Sequence, residues 1–256
     1  MKSIAILSFT ASVFVGQVSP FASAAESFIA QTSDRSLQSP IFAAPPLPLG
    51  TGTPGQGRSD AGGRLPTSCK QVDKPLTALV PTYKQKGAET IWAATVAEHP
   101  TVWFYVPYAA PSAYGEMVLE NLTTKQQTIH TVALPAQPGI VQVAVSDKAT
   151  TLAAGTYYWY FSIYCQRNRD EADSSVEGAV TRQALSSVLQ QQIVQALPPQ
   201  KAAVFARNGI WHDALTSAAA LQCTHHHDSA WTQLLQAIGL QELAQEPIMT
   251  CQRPVK

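Results

Sequence analysis

Between Cys69 and Cys165 apolar and polar residues alternate in short runs rich in β-branched and aromatic side chains. The runs are 76–80, 90–95, 101–106, 116–121, 128–133, 140–145 and 157–165. A period of two is that of a strand with one face buried. Pro, Gly, Asn and Asp clusters separate the runs and leave no room for crossover helices. The pattern therefore predicts a mostly antiparallel sheet folded as a sandwich, Ig-like or jelly-roll-like. Residues 176–180 are a candidate for a further strand.

The alternation is strictest in residues 157–165. Tyr157, Trp159, Phe161, Ile163 and Cys165 share one face, predicted as core, and Tyr158, Tyr160, Ser162 and Tyr164 share the other. All eight tyrosines of the chain fall between Tyr83 and Tyr164, so this half carries its phenolic surface. The run P-T-V-W-F-Y-V-P-Y at 100–108 is bounded by prolines. The same rule sets Trp103 and Tyr105 against Phe104, which predicts that one side is core and the other faces outward.

After Arg182 the period becomes helical. Leu185, Val188, Leu189 and Ile193 form a first stripe, and Pro198-Pro199 ends that helix and begins a second, which stops at Asn208-Gly209. Ile210, Ala214, Leu215, Ala218 and Leu221 form a third stripe. Asp228 or Ser229 caps a fourth, on Trp231, Leu234, Leu235 and Ile238, with a last turn around Leu240 and Leu243. Short connections predict antiparallel neighbours, with this unit offering a docking surface or packing back on the tyrosine row. The predicted class is α+β: a sandwich over 69–166, a hinge or final strand over 167–181, a small C-terminal helical unit over 182–246, and a tail from 247.

The N-terminal residues do not read as globular. Residues 1–24 place Lys2 before an apolar run over 4–16 and end in Ala22-Ser23-Ala24, the pattern of a cleaved secretory signal. The apolar run is too short to cross a bilayer, and no later segment is long and apolar enough either. Residues 25–68 lack any period and are rich in Pro and Gly, so they read as a disordered tether. A proline-rich docking peptide at Pro45-Pro46-Leu47-Pro48 is the alternative. The expected location is outside the cytoplasm, periplasmic or extracellular.

Export makes the cysteines legible as disulfides. Four cysteines allow three pairings, and Cys69–Cys165 with Cys223–Cys251 keeps each bridge inside one predicted unit. Charge narrows the partners. Seventeen basic residues balance seventeen acidic ones, which argues against a polybasic nucleic-acid footprint.

Candidate chemistry is sparse. His225, His226 and His227 resemble metal ligands, with His225 and His227 the better placed and Cys223 or Asp228 as a fourth group. Adjacent imidazoles splay, however, and the spacing matches no standard zinc pattern. Asp170, Glu171 and Asp173, after Arg167 and Arg169, read as a solvated charged hinge rather than a calcium loop. No G-x-S-x-G, H-E-x-x-H or phosphate-loop motif is present. No cofactor is expected.

The landmarks L-T-A-L-V-P (76–81), H-P-T-V-W-F-Y-V-P-Y (99–108), P-G-I-V (138–141), Y-Y-W-Y-F-S-I-Y-C (157–165) and G-I-W-H-D-A-L (209–215) occur in this order. Together they resemble the cyanobacterial domain of unknown function numbered 928. The resemblance implies exported proteins, a β-rich half followed by helices, and no established activity or catalytic residues. Where that family usually has tyrosine after its G-I-W, this chain has His212.

The expected function is therefore a non-catalytic envelope module that binds a protein partner. The alternative is a carbohydrate or peptidoglycan binder using exposed aromatics, with Trp103, Tyr105, Tyr108, Tyr158, Tyr160 and Tyr164 as the candidate surface. A third reading is a hydrolase with a convergent site near His99, His130 or His212, recognisable only by geometry.

Overall fold

A computed structural model describes residues 42–48, 51, 58, 69–85, 88–146, 151–166, 171–224 and 229–251. All belong to the unit Ser36–Lys256. The leader-like residues 1–24, most of 25–68, Arg167, Arg169, Asp170, His225, His226, His227 and Asp228 lie outside the described residues.

Among the described residues, nine strands and four helices follow in order. The strands are β1 (Thr77–Ala78), β2 (Thr82–Gln85), β3 (Ala88–Thr95), β4 (Thr101–Val106), β5 (Tyr114–Asn121), β6 (Gln127–Val132), β7 (Gly139–Ala144), β8 (Gly155–Tyr164) and β9 (Ser174–Arg182). The helices are α1 (Ser187–Gln195), α2 (Pro198–Arg207), α3 (Trp211–Thr224) and α4 (Ala230–Ala237), before 3₁₀ turns at Gln241–Leu243 and Met249–Cys251. β1, β4 and β7 form a small sheet, and the large sheet runs β2-β3-β9-β8-β5-β6. Among these strands every pairing is antiparallel except β3 with β9. That one parallel pair sets strands from opposite ends of the β-rich half side by side, a non-local contact that periodicity does not encode. β2 is also absent from the predicted runs.

The two sheets face each other through aromatic side chains. Phe104 on β4 meets Trp159 at 5.5 Å and Phe161 at 4.4 Å on β8. Gly178 on β9 pairs with Trp159, and a Cβ there would lie 2.4 Å from the indole Cζ2. Only glycine lets the large ring cross that position.

A third layer covers the other side of β4. Trp103 meets Trp231 of α4 edge-on at 5.9 Å, and its Nε1 donates to Thr216 Oγ1 of α3 at 3.0 Å. Trp211 of α3 donates to the Leu79 carbonyl at 2.8 Å. The helical layer thus shares one hydrophobic core with the sandwich. It packs on the small sheet and β3, not on the tyrosine row of β8.

Local sequence accounts for the helix ends. Ser186 Oγ accepts from Leu189 N–H at the start of α1, and Pro198-Pro199 open α2. Gly209 (φ 72°) and Gly239 (φ 73°) end α2 and α4. In each case the glycine N–H and the next N–H bond back to carbonyls of the last turn. The left-handed geometry this requires is cheap only for glycine. The predicted α1 stripe is turned: Leu189 is buried, whereas Leu185 and Val188 are exposed.

Part of the stretch read as a free tether is docked. Phe42 packs on Trp211 at 4.9 Å, and Ala43 N–H donates to the Ala206 carbonyl at 3.0 Å. Arg58 donates to the Ile238 carbonyl at 2.7 Å, placing a cation at the C-terminus of α4. Scattered apolar residues such as Phe42 and Leu47 carry no period, yet helices with unfilled apolar faces give them cover. At the other end, Ile140 N–H donates to the Pro247 carbonyl at 2.8 Å, fastening the residues after α4 to β7.

Disulfides join Cys69 to Cys165 and Cys223 to Cys251, and no described cysteine is free. No helix among the described residues is long and apolar enough to cross a membrane.

Candidate functional site

β8 divides its side chains as its alternation predicts. Tyr157, Trp159, Phe161 and Ile163 are buried, while Tyr158, Tyr160, Ser162 and Tyr164 are half-buried on the outer face of the large sheet. Register supplies their neighbours. Tyr160 stands opposite Val118 of β5 and Glu177 of β9, and Val118 opposite Ile129 of β6. Tyr158 is flanked by Glu120 and Ala179, and Ser162 by Glu116 and Ser175. Tyr164 stacks on Tyr114 with centroids 5.1 Å apart and planes 13° apart. The result is a ribbon of four tyrosines with three glutamates interleaved.

The outward positions of β5, β8 and β9 carry no lysine or arginine, so the face is acidic. Lys125, on the β5–β6 turn, pairs with Glu120 at 3.2 Å at its margin. The Tyr160 phenol is pushed up by burial, then by Glu177 and Glu120, and the Tyr164 phenol by burial, Glu116 and Tyr114. Both hydroxyls stay protonated as donors. A hollow at this face, bounded by Thr51, Thr90, Tyr158, Tyr160 and Glu177, has a volume of about 30 Å³. That is about one water in size.

The other candidate aromatics are not surface groups. Trp103 is 2% exposed, and Tyr105 and Tyr108 are each 7% exposed. Tyr105 lies by the Lys74–Glu246 ion pair and has its phenol pushed up chiefly by burial. The expected outward side of 101–106 is covered because α3 and α4 lie on it. Strand alternation identifies which residues share a face but not whether a further layer covers that face.

The histidines separate. His130 lies on edge strand β6, opposite Met117. His99 and His212 line a common cavity of about 260 Å³ between the β3–β4 connection and α3. His212 is 2% exposed. Burial pushes its pKa down to about 4, against a smaller opposing effect of the Thr101 backbone, so it is neutral near pH 7. Asp213, the next residue, accepts at Oδ2 from Thr95 Oγ1 (2.7 Å) and Val96 N–H (3.2 Å). Its carboxyl is pushed up, chiefly by burial. The acid is thus engaged by β3 rather than by an imidazole. Of the three histidines in the hydrolase reading, His99 and His212 line this cavity and His130 does not.

Among the described residues, one set of His, Cys, Asp and Glu groups brings three ligand atoms together: Cys69, Cys165 and Asp173. Its sulfurs are joined to each other as a disulfide. Asp173 is buried and accepts from Cys165 N–H at 2.8 Å, which corrects its reading as part of a solvated hinge. The disulfide beside it fixes the strand end that the carboxylate binds.

A family model described as Domain of Unknown Function (DUF928) matches residues 54–248. The chain belongs to this family. The match covers the strands, all four helices and both faces described above, so the DUF928 domain embraces sandwich and helical layer together. No curated protein and no solved structure matches the chain.

Proposed function

We propose that this DUF928 protein is an exported, non-catalytic binding module whose outer sheet face docks a basic region of an envelope protein. The carrying observation is the ribbon of Tyr114, Tyr158, Tyr160 and Tyr164 with Glu116, Glu120 and Glu177 between them. Tyrosine gives large contact area at low entropic cost and a hydroxyl to satisfy. Interleaved carboxylates steer a partner of opposite charge. The shallow relief suits a protein surface better than a sugar ring. The leader-like residues 1–24 and the two disulfides support export.

The test is an affinity capture from envelope extract with the mature wild-type protein and with Tyr160→Ser and Glu177→Lys variants. Each arm is run before and after glycan-degrading treatment. The expected result is a captured protein that is lost at high salt and in both variants but survives glycan digestion. Capture abolished by glycan digestion, or unchanged in the variants, sinks this reading.

A further inference from the structure

We propose that the cavity between the β3–β4 connection and α3 is a binding site for a neutral polyhydroxylated ligand the size of one sugar ring. It is separate from the tyrosine face and does not depend on that reading. Its volume of about 260 Å³ corresponds to roughly eight waters at liquid density.

Polarity selects the ligand class. His212 lines the cavity almost fully buried, and its Nε2 has no hydrogen-bond partner. The Thr101 backbone engages the imidazole, and the ring's Nε2 is shielded from solvent, so His212 serves as wall of the cavity. Behind it runs a hydroxyl chain: Trp103 Nε1–H donates to Thr216 Oγ1, which lies 3.2 Å from Thr101 Oγ1. With Trp103 donating to its oxygen, Thr216 is free to donate to Thr101, and the Thr101 proton is then available to the cavity. Ser217 adds a further hydroxyl, and Pro100 and Phe205 give apolar wall.

The lining therefore mixes the carboxylate of Asp213 and the amide of Gln142 with hydroxyls of either sense and apolar surface. Sugar hydroxyls both donate and accept, and a ring's C–H face suits the apolar wall. An ammonium offers only donors and leaves the threonine protons unmatched. An anion meets Asp213 with no lysine or arginine in the lining. A metal ion is not served, because Asp213 Oδ2 is already committed to two donors. Among the described residues, no set of three ligand atoms converges here.

The experiment is calorimetric titration and ligand-observed NMR of the mature protein with glucose, galactose, mannose and N-acetylglucosamine. Ethylamine serves as the ammonium arm. Ser217→Phe, which fills the space from a half-buried position, and Thr101→Val, which removes the cavity hydroxyl at nearly constant volume, are titrated alongside. Thermal melts of both variants confirm folding. The expected result is one-to-one binding of at least one sugar, weakened by about tenfold or more in each folded variant. Should one variant fail to fold, the other carries the comparison. No sugar binding up to high millimolar concentration, binding unchanged in a folded variant, or binding of ethylamine alone overturns the proposal.

Discussion

Acidification should destabilise this protein through His212 in particular. The imidazole is 2% exposed, and burial lowers its pKa from 6.5 to about 4. In the unfolded chain it titrates near 6.5. Between these values the unfolded state takes up a proton that the folded state refuses. Stability is therefore unaffected by this group above about pH 6.5, falls as pH drops below it, and stops falling near pH 4. At 1.36 kcal/mol per unit, the full loss is roughly 3 kcal/mol. Asp213 acts in the opposite sense: its raised pKa favours the protonated folded form, so its contribution weakens as pH rises through the folded value. The clean measurement is the difference between wild type and His212→Phe in urea unfolding, followed by tryptophan fluorescence from pH 4 to pH 8 with disulfides intact. Asp213 and the other carboxylates are common to both proteins and cancel to first order. The stability of wild type relative to the variant should fall by roughly 3 kcal/mol from pH 8 to pH 4. A pH-independent difference would mean that the imidazole titrates alike in both states, and the buried, unpaired Nε2 would be refuted.

Three further outcomes are expected. Gly178→Ala forces a methyl to within 2.4 Å of the Trp159 ring and 2.8 Å of Ile91, and should cost about 1–3 kcal/mol by overpacking; an unchanged melting midpoint would contradict that contact. Thr216→Val strands the Trp103 indole N–H at a cost of about 1–3 kcal/mol, whereas Thr216→Ser retains the acceptor; equal stability of the two variants in urea counts against the bond. Removing Cys69–Cys165, with a sequence separation of 96, should cost more than removing Cys223–Cys251, with one of 28. Chain entropy gives roughly 5 against 3–4 kcal/mol, and the reverse order in denaturant melts of the paired alanine variants would refute that account.

What could be read along the chain was whatever depends on a residue and its near neighbours. The β8 alternation sorted Trp159 and Phe161 from Tyr158, Tyr160 and Tyr164, and each side lies where that sorting puts it. Pro198-Pro199, Gly209 and Gly239 marked helix ends for steric reasons that hold in any fold. The tertiary structure alone decided what covers each face. Trp103 and Tyr105 share a side of β4, as their spacing requires, yet that side is buried because α3 and α4, more than a hundred residues later, lie on it. The parallel pairing of β3 with β9, the docking of Phe42 on Trp211, and the meeting of His99 with His212 have the same origin. Each is a contact between segments distant in sequence. The hydrophobic effect that drives such contacts is non-directional: it demands that an apolar face be covered and leaves the choice of cover to the packing of the whole chain.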